Sequence, residues 1–342
     1  VRSGQVDFSE PILGTGFVEG RTMFHLATFL LALVPEIGRT VPGPALLVHS
    51  SPLLALAAIM AVYALVQGLA KNRNAALFGT SLFMLYLLVP QDYPHGLFYQ
   101  FGISDKTIGI FVFVPSTILL VWEYLSLPRP GLLILLCLAA LALGTIHPVV
   151  FVMCWFLVAV FVLTNYGISA LQGGGTSVVP VLLLVVPCLV GLVFPLYLRT
   201  QFHTTSAAEL SLDSTNILVQ HRLDLQRDRL IIYPDGRFIG DPALILDKPA
   251  RVLAYLLLPA IALRAWRRKD AMAQFLFTGL VFPALLLFNP VTPELLGRFV
   301  TPMMVFRFSW LLPDILAVGF VFYWLVGFLL RGLPQSRRYL VC

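Results

Sequence analysis

Residues 149–168 and 178–198 each run about twenty positions without one Asp, Glu, Lys or Arg. A bilayer core offers no water to the backbone, so a segment crossing it must satisfy its own amides. As a helix, that takes roughly 20 apolar residues. Seven further runs read the same way: 45–70, 75–89, 107–125, 131–146, 250–266, 271–288 and 311–330, of which 75–89 and 131–146 are short. Charged residues make up 12% of the chain against 58% hydrophobic, about half the charge that clothes a soluble surface. A soluble enzyme, a disordered tail and a disulfide-stapled secreted domain are thereby excluded. The expected fold is an all-α polytopic integral membrane protein with about nine transmembrane helices.

Loop charges orient the spans. If residues 1–44 lie outside, the inner connections carry Lys71, Arg73, Arg129, Arg264, Arg267, Arg268, Lys269, Arg331, Arg337 and Arg338, as the positive-inside rule requires. Of the 17 acids only Glu123 and Asp270 fall on that side, so the acidic chemistry faces outward. Four regions follow. Residues 1–44 form an outer loop, in which 22–34 are apolar but too short to cross and read as an interfacial helix. Residues 45–198 form a first helix bundle, 199–249 an extracytoplasmic loop and 250–342 the C-terminal spans. Within the long loop YPDGRF carries an Asp-Gly hairpin signal, and ELSLDSTNILVQHRLDLQ reads as a short helix.

The net charge of +6 is not a nucleic-acid footprint, because the cations sit at the ends of apolar runs instead of on one soluble face. The four cysteines show no metal or disulfide spacing. Gly173, Gly174 and Gly175 make a turn and not a phosphate loop, since no Lys-Ser/Thr follows.

Candidate chemistry lies on the outer side. QDYPHGLFYQFGISDK holds Asp92 and His95 among aromatics. That mixture suits a sugar face and equally an aromatic interface belt, and its two metal-capable ligands leave a divalent ion open without requiring one. His147 precedes Pro148 in an apolar stretch of almost forty residues. Proline breaks the helix there, leaving His147 to bind a phosphate or to cap a helix end. Arg298 and Arg307, in NPVTPELLGRFVTPMMVFRFSWLLPD, are placed to grip a phosphate bidentately or to snorkel among headgroups.

The order of these features resembles a known family. An acidic outer segment runs into GRTMFHLATFLLALVPEIG, then a span after VPGPALLVHS, then a helix pair broken by LALGTIHPVVFVMCW. This is similar to the GT-C superfold of membrane glycosyltransferases, in pattern over residues 1–168 and more loosely over 290–330. The resemblance implies transfer of a sugar from a polyprenyl-phosphate donor to an extracytoplasmic acceptor, in the cell membrane and with no cofactor. It implies a catalytic carboxylate soon after a first span. That span is missing here, an expectation of N-terminal truncation, and Asp7 is the nearest match, ahead of Glu10 and Glu19. The resemblance loosely gives Arg298 and Arg307 the carrier phosphate; Asp92, His95 and His147 join them as candidate substrate contacts on the chemistry above. Two rival readings remain: a transporter or flippase without bond chemistry, and a non-catalytic assembly subunit.

Overall fold

The computed structural model describes residues 9–10, 14–18, 50–88, 105–173, 177–201, 229–233, 237–246, 248–268, 270–293, 295 and 302–331. The interfacial segment 22–34, the helix expected from ELSLDSTNILVQHRLDLQ and the outer connection 90–104 lie outside them.

Two short antiparallel ladders precede and interrupt the helices. The first joins β1 (Ser9–Glu10) to β2 (Gly14–Val18). The helices then run in order: α1 Ser51–Ala70, α2 Arg73–Leu88, α3 Asp105–Ser126, α4 Pro130–Ile146, α5 Pro148–Leu171, α6 Val179–Leu183 and α7 Val185–Gln201. The second ladder, β3 (Leu230–Ile232) with β4 (Phe238–Gly240), is the hairpin signalled by YPDGRF, with Ile231 opposite Ile239. After it come α8 Pro249–Leu256, α9 Leu258–Arg268, α10 Ala271–Phe288, a 3₁₀ segment Pro302–Leu311 and α11 Asp314–Arg331.

Among the described residues six helical stretches are long and apolar enough to cross a membrane, and a seventh counts if the bent pair α8–α9 is one span. The chain is therefore an all-α membrane protein of several spans. Helices α2 and α4, of 16 and 17 residues, are the two that the sequence marks as short.

Prolines account for most of the breaks. Pro259 withholds the amide that would continue α8 into α9, and the two meet at 46°. Pro115 cannot donate back into α3, and the preceding Gly109–Phe113 widens into a π turn that seats its ring. Pro148 separates α4 from α5 at His147.

Close packing is set by small residues. Gly144 of α4 faces Gly191 of α7 so tightly that an added Cβ would lie 2.4 Å from the Gly191 carbonyl oxygen. Gly279 of α10 receives Pro313, with ring carbons 2.7 and 2.8 Å from where a Cβ would sit. That contact fixes where α11 begins. One large aromatic cluster, Phe156, Phe282 and Phe308, joins α5, α10 and the 3₁₀ segment. Deeper in the bundle, Asn165 donates to Gln274 at 2.7 Å, satisfying two amides that apolar surroundings would otherwise penalise.

The bundle has two chemically different ends. At the hairpin end, Gly240 packs on Leu287, in the last turn of α10. The opposite, basic end collects the α1–α2 turn and the α9–α10 turn around α11. There Tyr323 donates to Asn72 at 3.2 Å, and the Arg264 guanidinium lies 4.0 Å from the centre of the Trp324 ring.

Gly279→Leu is expected to destabilise the protein by about 1–3 kcal/mol through overpacking against Pro313. Gly327→Ala, where an added Cβ meets nothing within 4 Å, leaves the midpoint unchanged. Thermal unfolding of both variants in detergent checks this.

Candidate functional site at the hairpin end

The site is built on the 3₁₀ segment. With three residues per turn, Val305, Phe308 and Leu311 share one face, and all three are buried. Arg307 and Trp310 share another face, three residues apart. Their contact follows directly: the Arg307 guanidinium carbon lies 5.1 Å from the Trp310 ring centre and 5.9 Å from that of Phe306. Pro313 then ends the segment, and its carbonyl accepts from Ala317 to start α11.

Two further cations reach the same rings from other elements. Lys106, in the first turn of α3, places its ammonium 5.8 Å from the Trp310 centre. Arg229, at the base of the hairpin, stands 4.7 Å over Phe306. Hydrogen bonding holds this base: Asp241 donates its amide to the Arg229 carbonyl, and Ala243 donates to the Asp241 carboxylate. Phe306 and Trp310 thus gather Lys106, Arg229 and Arg307 into one cluster, in which Phe306 and Arg307 are buried and Trp310 is half-buried. Cation–π contact contributes to holding such an array together.

Beneath Trp310 opens a cavity of about 100 Å³ between α1, α2, α3 and the start of α11. Its walls are apolar and aromatic, Tyr86, Phe111 and Pro115 among them, apart from Arg251 and Asp314. Arg251 Nε donates to Asp314 Oδ2 at 3.2 Å, with both side chains about nine-tenths buried. The same guanidinium donates to the Leu244 carbonyl through Nη1. Local sequence explains both placements. Pro249 opens α8 one residue after Lys248, so Arg251 falls in the first turn with its side chain turned inward. Asp314 opens α11 directly after Pro313, where the helix dipole favours an anion. Tyr255, one turn after Arg251, donates to the Leu280 carbonyl at 2.8 Å and locks α8 to α10.

Of the expected site residues, Asp7, Asp92, His95 and Arg298 lie outside the described residues. His147 is buried at the α4–α5 junction. Its Nδ1 accepts from the Val150 amide at 3.2 Å, which makes it a helix cap and places the ring proton on Nε2. It is not among the residues lining the cavity. Arg307 is in the cation–aromatic array at the rim. Among the described residues no three His, Cys, Asp or Glu side chains group as metal ligands.

Sequence reasoning did not single out Arg251, Asp314, Lys106, Arg229 or Trp310. A signal existed for the first two, because each is an ionisable residue beside a proline at the edge of an apolar run. For Trp310 the signal depends on recognising a 3₁₀ period.

Removing one partner of the buried pair strands the other charge. Arg251→Met is expected to cost about 3–5 kcal/mol, while Arg251→Met with Asp314→Leu restores most of that loss. Unfolding midpoints of both variants in detergent provide the check; equal losses in the two would show that the pair is not the buried contact described.

Comparison with protein-family models, with curated proteins and with solved structures finds no match to this chain, so the chemistry of the site rests on its residues.

Proposed function

We propose that this chain is a membrane glycosyltransferase of the GT-C kind, transferring a sugar from a polyprenyl-phosphate donor to an acceptor outside the cytoplasm. The acceptor is a cell-envelope glycan, lipid or protein. The observation that carries the reading is the array of Lys106, Arg229 and Arg307 on Phe306 and Trp310 at the rim of an apolar cavity. A lipid-linked phosphate needs cations at the interface and apolar surface immediately below, and the array supplies both. The half-buried Trp310 ring suits a sugar as well, since its apolar face stacks on such a ring.

The orientation belongs to the same proposal. The hairpin end faces outward and the basic end faces the cytoplasm, following the asymmetry of Lys and Arg. In the reaction a carboxylate takes the proton of the acceptor hydroxyl, and the acceptor oxygen bonds to the anomeric carbon. The bond from that carbon to the phosphate oxygen breaks, and polyprenyl phosphate leaves with the electron pair. The cations stabilise the charge growing on that phosphate. Asp7 is our assignment for the base, and Arg307 together with Lys106 for the leaving group.

A second reading, a flippase for lipid-linked substrates, is favoured by one observation. The α8–α9 span is discontinuous and carries a buried ionisable pair at its start, a feature of transport sites. Loss of sugar from the donor separates the two readings.

The purified protein is expected to bind polyprenyl phosphate in detergent. Arg307→Gln and Trp310→Ala should each weaken binding on the order of tenfold, the loss of one charge-assisted contact. Isothermal titration or native mass spectrometry measures it. Binding unchanged in both variants sinks the assignment of this rim to the phosphate. Single cysteines at Asn72 and Arg237 should label from opposite sides of intact cells; labelling from the same side would refute the orientation.

A further inference from the structure

The basic end carries a second site that the proposed reaction does not use. On α9, Arg267 and Arg268 lie three and four residues after Arg264, so each neighbours Arg264 on the helix surface. Like charges so placed repel one another. Arg264 is held by two contacts: Nε donates to Asp270 Oδ2 at 2.7 Å, and the guanidinium lies 4.0 Å from the Trp324 ring centre. Asp270 also caps α10 through the Ala273 amide at 3.1 Å, so this carboxylate is doubly committed. Among the described residues no carboxylate pairs with Arg267 or Arg268, and both are exposed. One acid therefore answers three cations.

The surface below these cations is apolar and faces outward from the bundle. Leu263 is 52% exposed and Trp266 47%, one turn apart on α9 and beside Arg267. Across the Arg264–Trp324 contact, α11 presents Leu325, Phe328 and Leu329, all exposed. Gln172 donates to the Trp266 carbonyl at 2.6 Å, which fixes the end of α9 against α5. A cationic triplet with an interfacial tryptophan above two apolar helix faces matches the layered chemistry of a phospholipid, headgroup phosphate above acyl chain.

We propose that Arg264, Arg267, Arg268 and Trp266 form a binding site for the phosphate of an anionic phospholipid. Its acyl chains lie along the exposed faces of α9 and α11. The ligand relieves the repulsion within the triplet and joins α9 to α11 beside the Arg264–Trp324 contact. This site lies at the opposite end of the bundle from the cation–aromatic array and does not depend on the proposed glycosyl transfer.

The experiment compares thermal unfolding of the full chain in nanodiscs of phosphatidylcholine with and without phosphatidylglycerol. Wild type is expected to unfold several degrees higher with phosphatidylglycerol, and Arg267→Gln/Arg268→Gln to lose most of that rise. At about fivefold per cation, the double variant should also bind phosphatidylglycerol on the order of tenfold more weakly by native mass spectrometry. Lys71→Gln/Arg73→Gln removes two cations at the same end without touching the triplet and should keep the rise. No rise in wild type overturns the proposal. So does an equal loss in the two double variants, which would mean diffuse attraction to a charged surface. Inorganic phosphate added to phosphatidylcholine discs should reproduce none of the shift; full reproduction would assign the site to a free anion and overturn the lipid.

Discussion

Two opposite charges held in an apolar bundle constrain everything around them. Arg251 and Asp314 stand 63 positions apart in the chain and meet at 3.2 Å with little water access. In such surroundings each charge is tolerable only while the other is in place. The pair therefore fixes the start of α8 against the start of α11. A further contact, from Arg251 to the Leu244 carbonyl, extends the constraint to the short turn after the hairpin. The hairpin in turn delivers Arg229 to Phe306. One ion pair thus links the polar floor of the cavity to the cations on its rim.

The rim follows a different principle from the floor. Below, an ion pair is buried among apolar walls; above, aromatic faces gather cations together. Cation–π contact orders a guanidinium against a ring, and three cations are concentrated there on two rings. A floor sealed by its own ion pair and a rim that gathers cations suit a ligand with an apolar body and an anionic head. The basic end repeats part of this logic, with Arg264 ordered between Asp270 and Trp324. There, however, the apolar surface faces out from the bundle and not into a cavity.

The helical architecture was legible because apolar run length is set directly by bilayer thickness. The boundaries of α3, α4, α5 and α10 follow the apolar runs to within a few residues. The hairpin at 230–240 was legible because Asp-Gly between β-branched strands has few alternatives. The π turn in α3 and the bend at Leu257 were not read, although Pro115 and Pro259 mark both; a proline shows that a helix must adjust but not how. The Arg251–Asp314 pair was out of reach for another reason. Hydropathy places each residue at a helix end, and only packing can show that two ends 63 residues apart coincide. His147 illustrates the limit from the other side. Its sequence context allows a ligand or a cap, and the bond from Val150 shows the cap. The sequence-based assignments at Asp7, Asp92, His95 and Arg298 fall outside the described residues and remain part of the proposal.

The central claim is that the hairpin end carries out bond chemistry on a lipid-linked sugar. The most direct measurement incubates the purified protein in detergent with a polyprenyl-phosphate sugar radiolabelled in the sugar, together with a crude cell-envelope acceptor fraction. The label is then followed out of the lipid phase. The account predicts transfer of label to the acceptor fraction, reduced at least tenfold by Arg307→Gln in protein of unchanged unfolding midpoint. Label that stays on the lipid, while the protein moves the intact donor across proteoliposome membranes, would contradict it and establish a flippase instead.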